Sequence, residues 1–550
     1  MPERTIPVYP QHYTPSDLDV TLAPSFEDAS GVVFSGSGMR LVSGARGTWR
    51  FRIENRDRDL PAGSAMALVR FNYQIAYQLQ QTSPAGRDYT TLETESAAAL
   101  RLITRNDGVN LLNVVVESGT FKVGESCTVT VGERAHGGVG SEIFWSATDG
   151  QFLLAVDADG SGEFEGVQGN PFDYSVIHRP EVDLLRLLGP TVAKVGEPFP
   201  VHLGAFDQNR NVVEDYSGHV DFEIPEGVSG LPESYTFAAD DNGVKIFEGV
   251  TVGRPGVYRI GVRGESVDGS FLSNPTVASE EPAAHVYWGD VHAHGWGDAT
   301  MHLMYLRTDK MDPLSRHQQG HWVGRFDFAS PGAMSMDPDK REETWEAWRE
   351  ACEQIDRPGR YVPFIGYEAH PACGAGDRQV IFKDYKEEPA PPSMKSPMEE
   401  VEATYGSRDD VLLEVHIGGQ PPKWDAYRPE QERFLEICSG FGCAEWLLQE
   451  ALRLGYKPGV CAASDLHVGL MGGPRAVEPF RGRFSQKYPM RHRDSAYGTG
   501  PITAVVAPEL TRDALWKAMT SRGTYASSGA HIYLSLTSNG VPAGGEITVG

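Results

Sequence analysis

The pattern of apolar and polar positions divides the chain into two kinds of segment. From about residue 21 to 180 it alternates with a period of two in short runs between turns. Examples are Thr48-Trp49-Arg50-Phe51-Arg52-Ile53, Cys127-Thr128-Val129-Thr130-Val131 and, in part, Leu111-Leu112-Asn113-Val114-Val115-Val116. Successive side chains of a strand face opposite sides, so this is the pattern of half-buried strands. It predicts a β-sandwich over 21–180, preceded by an aperiodic surface arm over 1–20. Lys122-Val123-Gly124-Glu125 recurs as Lys194-Val195-Gly196-Glu197, each ahead of a strand pattern. One turn is therefore expected in two sandwich units. The second unit, immunoglobulin-like, spans 181–280 and closes on the strand pattern Pro255-Gly256-Val257-Tyr258-Arg259-Ile260-Gly261-Val262. Ser279-Glu280-Glu281-Pro282 reads as a linker.

At about residue 283 strand and helix patterns begin to alternate. Trp345, Trp348, Cys352 and Ile355 recur at helical spacing within 340–355. A second helix is predicted from Glu445 to Leu454 with Gly455 as its cap. A third starts at Thr511 as N-cap and ends at Gly523. Between them lie apolar runs at 326–329, 361–365, 411–415, 434–437 and 460–463. This predicts a mainly parallel sheet, closed or open, over 283–530. A strand pattern returns at Ile532-Tyr533-Leu534-Ser535-Leu536, so 531–550 reads as the start of a further β segment. The chain stops inside that pattern, which points to a longer protein or to a final edge strand.

Composition adds bounds. At 550 residues the chain exceeds one core and predicts three or four domains. A net charge of −26 argues against nucleic acid or an anionic membrane as a general partner, and leaves room for a small-molecule substrate. Six cysteines make no disulfide framework; Cys438 and Cys443 read as buried small residues. No secretory leader and no run of about 18 apolar residues is visible, which makes cytoplasm the expected location. Asp157-Ala158-Asp159-Gly160-Ser161-Gly162 resembles half a calcium loop. The twelfth position is Gln168 rather than Glu, so a polar hairpin turn is expected.

The candidate chemistry lies in 283–530. His292 and His294, two apart on a strand pattern, aim both imidazoles to one side. Other apolar runs end in, or carry, residues of the same type: Asp290 beside the histidines, Glu368 and His370, His416, Glu436, then Asp465 and His467. In parallel α/β folds the carboxyl ends of the strands form one face, where active sites sit. Histidine and carboxylate ligands without thiolate suit Zn, Mn or Fe, and one or two such ions are expected. Asp290 and Glu436 read as ligands or as partners that orient an imidazole. His370 is either a proton donor or a hydrogen-bonded loop histidine, Arg475 an anion contact or a salt bridge, and Trp296 a pocket wall or core. No nucleophile elbow, P-loop or dinucleotide fingerprint occurs.

His292-Ala293-His294, Gly366-Tyr367-Glu368, His416 and Ser464-Asp465-Leu466-His467 resemble, in order, the motifs of the polymerase and histidinol phosphatase (PHP) superfamily. The wording from Tyr287 to His292, from Phe364 to Glu368, from Ala463 to Gly469 and from Arg522 to Ala530 is similar to an uncharacterised bacterial family within it, with β-rich flanks. The resemblance covers 285–550 and implies a distorted β/α barrel. It implies that His292, His294, Glu368 and Asp465 hold one metal, and that His416 and His467 help hold a second, with Glu368 shared. One departure stands out: Ala333-Met334 occupy the place of an Asp-His pair, and Phe441 that of a histidine. One or two metals are therefore implied rather than three. The expected function is a metal-dependent hydrolase in which metal-bound water attacks a small-molecule ester, most readily a phosphoester. An amide or carboxylic-ester hydrolase, and a non-catalytic binding protein on a degenerate barrel, are the alternatives.

Overall fold

The computed structural model describes residues 13–71, 79–106, 110–143, 147–169, 172–294, 312–332, 341–371, 375–386, 388–391, 393, 396–416, 422–439, 442–466, 471–473 and 500–548. The protein is multidomain and mostly β-sheet, with five α-helices among those residues. Two compact units divide it between Ile177 and His178.

The first unit contains an eight-stranded and a six-stranded sheet, whose inner faces contribute to one core. The alternation read from 48–53 explains why. Trp49, Phe51 and Ile53 are buried, while Arg50 and Arg52 face outward, the first paired with Glu27 at 2.7 Å. Trp49 meets Phe152 edge-on at 5.1 Å between ring centroids, an arrangement that adds to area burial. The expected arm is partly a strand: Tyr13–Leu18 pairs in parallel with Phe164–Val167. The calcium-like loop is the expected hairpin turn. The Asp157 carboxylate accepts from Gly160 N at 2.7 Å and Gly162 N at 2.9 Å.

The second unit begins with a β module over 184–279 built from three small sheets. Both Lys-Val-Gly-Glu segments form the same turn, with Gly124 at φ +85 and Gly196 at φ +78, the conformation a type II turn asks of its third residue. The predicted strand 255–262 is in fact two. Gly256–Tyr258 pairs with Thr276–Ser279, while Gly261–Gly264 pairs with His219–Glu223 in another sheet. The chain changes sheet at Arg259-Ile260, a corner that alternation alone does not reveal. Buried polar contacts tie this module to the C-terminal half of the chain: Arg186 donates to the Val323 and Gly472 carbonyls, and Trp288 Nε1 donates to Thr191 Oγ1 at 2.7 Å.

The remainder is an α/β assembly. In chain order it contains β1 (His285–His294), α1 (Pro313–Trp322), β2 (Phe328–Gly332), α2 (Arg341–Ile355), β3 (Ile365–Ala369), β4 (Arg378–Phe382), α3 (Met398–Tyr405), β5 (Val411–Val415), β6 (Phe434–Ser439), α4 (Glu445–Arg453), β7 (Gly459–Ala462), β8 (Ile502–Ala507), α5 (Arg512–Thr520) and β9 (Thr524–Ser527). The three predicted helices are α2, α4 and α5. Thr511 caps α5 by accepting from Ala514 N. Gly455, at φ +86, ends α4 with Tyr456 N bonded to the Ala451 carbonyl, the C-terminal pattern a left-handed cap produces.

The sheet runs β6-β5-β4-β3-β2-β1-β8-β9, with β7 beside β6. It is mixed where a mainly parallel one was expected: β4 is antiparallel to both neighbours, and β8 to β1. The link from β3 to β4 is too short for the crossover that parallel pairing requires. Consequently β1, β2, β3, β5, β6 and β7 all point the same way. Beyond β7, Asp465 N donates to the His292 carbonyl at 2.9 Å and His294 N to the Leu466 carbonyl at 3.0 Å. The strand farthest along one side thus returns to β1.

The strand expected at 532–536 does not form. Leu536 is 65% exposed, and the segment's carbonyls accept from scattered partners, that of Leu536 from Ala543 N and that of Ile532 from the Tyr525 hydroxyl, rather than from one ladder. Among the described residues a short hairpin, Thr537–Ser538 with Val541–Pro542, comes after it. No helix among the described residues is long and apolar enough to cross a membrane.

Candidate metal centre

The site is built at the carboxyl ends of β1, β3, β5 and β6 and just beyond β7. On β1, Asp290, His292 and His294 fall on one face by alternation, and Val291 and Ala293 on the other, in apolar clusters. Glu368 lies within β3, His416 directly succeeds β5, Glu436 lies within β6, and Asp465 stands on the segment that returns to β1. His292, His294, Glu368, His416, Glu436 and Asp465 are all buried.

Their ligand atoms converge. His294 Nε2 lies 2.9 Å from Asp465 Oδ1 and 3.9 Å from Glu368 Oε2. His292 Nε2 lies 3.7 Å from Asp465 Oδ1. His416 Nε2 lies 3.2 Å from the other oxygen of Glu368, Oε1. Two ligands at zinc-type bond lengths and a tetrahedral angle stand roughly 3.3 Å apart. The observed separations bracket that value, so the donor set fits a small divalent ion. Two further observations agree. His292 Nε2 is buried and makes no hydrogen bond. Asp465 adopts φ +46, a conformation rare outside glycine that is maintained where the surroundings demand it.

The electrostatics point the same way. Asp290, Glu368, Glu414, Glu436 and Asp465 bury five carboxylates against His292, His294 and His416; uncompensated, such burial is costly. Burial pushes Asp290 up to about 6, against hydrogen bonds from Ser464 and His292. Burial and mutual repulsion raise Glu414 to about 8, and burial does the same to Glu436. For Glu368 burial is overcome by His416, His294 and His292, and its carboxyl is held below the usual range. His416 is raised to about 10, where Glu368 outweighs burial. Buried carboxyl groups thus outnumber buried imidazoles in this cluster.

The groups around the ligands have distinct tasks. His292 Nδ1 meets Glu436 Oε2 at 3.2 Å, and Glu436 thus orients an imidazole whose Nε2 faces the other ligands. Asp290 accepts from His292 N at 3.2 Å and Ser464 N at 3.1 Å. It fastens the two ligand-bearing segments together. Gly366 is required beside Glu368, since a Cβ there would come within 2.6 Å of the Val380 carbonyl. His370 Nδ1 lies 2.6 Å from Asp377 Oδ1, with 27% of the His370 side chain exposed. Trp296, Ala333, Met334, Phe441, His467 and Arg475 lie outside the described residues.

Sequence reasoning missed Glu414, Asp377 and Arg316. Glu414 had a signal: it lies on β5 two residues before His416, and it interrupts an apolar run. Asp377 had none, because the turn between β3 and β4 delivers it. Arg316, on α1, is fully buried; burial draws it down to about 10 while Asp290 and Asp312 oppose the shift.

A family profile described as "Protein of unknown function (DUF3604)" matches residues 448–539. An uncharacterised protein of Chlamydia trachomatis serovar D is 20% identical over 544 residues, which covers 92% of this chain and 83% of that one. Another from Chlamydia pneumoniae is 20% identical and covers 78% of this chain and 70% of its own. Among solved structures, the D00-D0 domain of intimin overlaps 39% of this chain and 99% of its own at 12% identity and a TM-score of 0.19. The C-terminal domain of the Streptococcus pyogenes antigen I/II-family protein AspA overlaps 48% of this chain and 99% of its own at 10% identity and a TM-score of 0.23. Overlaps this low carry no argument about this chain.

Proposed function

We propose that residues 283–530 are a metal-dependent hydrolase of the PHP type, carried on a distorted β/α barrel and acting on a small-molecule ester, a phosphoester first. The return of 465–466 to β1 supports the closed sheet. The observation that carries the function is Glu368. It presents Oε2 to His294 and Oε1 to His416, so that this one carboxylate would serve both ions. His292, His294 and Asp465 would hold one Zn, Mn or Fe ion and His416 a second. A divalent ion bound there supplies Lewis-acid polarisation of the ester and acidifies water.

The chain's own residues supply the rest. A Glu436 carboxylate that accepts a hydrogen bond from His292 Nδ1–H leaves Nε2 with its lone pair outward. Asp377 Oδ1, 2.6 Å from Nδ1, orients His370, which in this reading gives a proton to a leaving oxygen. The exposure of His370 suits that task, since its side chain is 27% exposed whereas those of His292, His294 and His416 are at most 1%.

Elemental analysis of the purified protein, beside a His292→Ala/His294→Ala double variant, tests the reading. One or two equivalents of Zn, Mn or Fe in the wild type, absent from the variant and accompanied by hydrolysis of an aryl phosphate, are expected. Little metal in the wild type, even after reconstitution with each ion, overturns it.

A further inference from the structure

The hairpin that succeeds Glu436 carries chemistry the metal centre does not use. β6 turns back into Gly442–Cys443, with Cys438 opposite Cys443 and Ser439 opposite Gly442. Ala444 N donates to the Ile437 carbonyl at 2.7 Å, which makes 437 and 444 a hydrogen-bonded pair. Pairs alternate along an antiparallel ladder, so 438 and 443 are a non-hydrogen-bonded pair, where Cα atoms approach to about 4.5 Å. That spacing falls within the range a disulfide spans. The two sulfurs lie 2.7 Å apart, and joining them asks for no backbone movement. Exposure differs between them: Cys443 is exposed and Cys438 is 5% exposed. The expectation that both are buried small residues therefore fails for Cys443. Cys127, Cys352 and Cys461 are buried elsewhere, and burial raises all three thiols above their ordinary range.

We propose that Cys438 and Cys443 are a reversible thiol–disulfide site, oxidised by exchange with a low-molecular-weight disulfide, that clamps the hairpin beside the metal centre. The exposed Cys443 thiolate attacks the disulfide RSSR, forms a Cys443–SR mixed disulfide and expels one RS⁻. The Cys438 thiolate then attacks the Cys443 sulfur and expels the second RS⁻. The two cysteines lose two electrons and two protons, and RSSR is reduced to two RSH. The order is set by exposure, since of the two it is Cys443 that is open to a solute. The clamp acts on the strand that carries Glu436, and so on the group that orients His292. It rests on the hairpin's register and is independent of whether the centre hydrolyses esters.

The test uses the full chain, reduced, freed of reductant and incubated with oxidised glutathione, then alkylated and mapped by peptide mass. The peptides containing Cys438 and Cys443 are expected to lose two hydrogens between them, reversibly with dithiothreitol. Cys438→Ser protein should instead accumulate glutathione on Cys443, and Cys443→Ser protein should form neither product. Amide hydrogen exchange over 437–444 should slow on oxidation. A stable glutathione adduct on wild-type Cys443, or both thiols still fully alkylated, overturns the site. Unchanged exchange over 437–444 in the oxidised protein overturns the clamp.

Discussion

Replacing Glu436 with Leu separates orienting a ligand from holding the fold. His292 and Glu436 have wholly buried side chains, with Nδ1 and Oε2 3.2 Å apart. In the variant no water takes the lost acceptor's place, and a buried donor left unpaired costs about 1–3 kcal/mol. That cost depends on the state of Nε2. Without metal, the imidazole proton can move to Nε2, which faces the Asp465 carboxylate across 3.7 Å, a charge contact rather than a hydrogen bond. With metal on Nε2 the proton is confined to Nδ1 and has no partner. The penalty therefore falls more heavily on binding than on folding. It corresponds to a loss in metal affinity of about 10–100-fold, or roughly 1.4–2.7 kcal/mol, the range found for removal of such orienting partners. A competition titration against a fluorescent chelator reads the affinity, and thermal melting of chelator-stripped protein serves as the control. Glu414→Gln should weaken binding less, because the hydrogen bond to His292 is made by Glu436. Equal affinity of wild type and Glu436→Leu, or equal loss in Glu414→Gln, would refute the reasoning.

Two further predictions use stability. Asp465 is held at φ +46, where a side chain with a Cβ costs roughly 1–2 kcal/mol and glycine almost nothing. Chelator-stripped Asp465→Gly should be about 1 kcal/mol more stable in urea than Asp465→Ala, although both lose metal; equal midpoints would remove the strain argument. His202 and His317, outside the centre, are wholly buried, and burial pulls each down to about 3 from an ordinary 6.5. Below pH 6.5 the unfolded chain binds protons that the folded one refuses. Their contribution is present above that pH and lost as pH falls toward 3. Each histidine costs about 2 kcal/mol of stability between pH 6.5 and about pH 5. His317→Gln should reduce that loss by a like amount in urea melts at the two pH values, and an undiminished loss would show that His317 is protonated in the fold.

Local periodicity determined a good deal. The period-two run at 48–53 became a strand with Trp49, Phe51 and Ile53 inward, because which face is buried is dictated by alternation alone. Thr511 and Gly455 marked helix ends for equally local reasons, a side-chain acceptor and a tolerance for positive φ. The donors His292, His294, Glu368, His416 and Asp465 were legible because each sits at or near the end of an apolar run, and strands of one direction bring their ends to one face. Other features depended on pairing between distant segments. No property of 255–262 shows that its two halves join different sheets, and none of 532–536 shows that it joins no strand ladder. β4 runs against its neighbours because of how the chain returns after β3, and the same return brings Asp377 to His370. That Glu368 offers one oxygen to His294 and the other to His416, and that Cys438 faces Cys443 across a ladder, are matters of register. Alternation states which side of a strand a residue takes. Which residue of another strand it meets there is set only when the whole sheet assembles, since the hydrogen bonds that fix register join residues far apart in the chain.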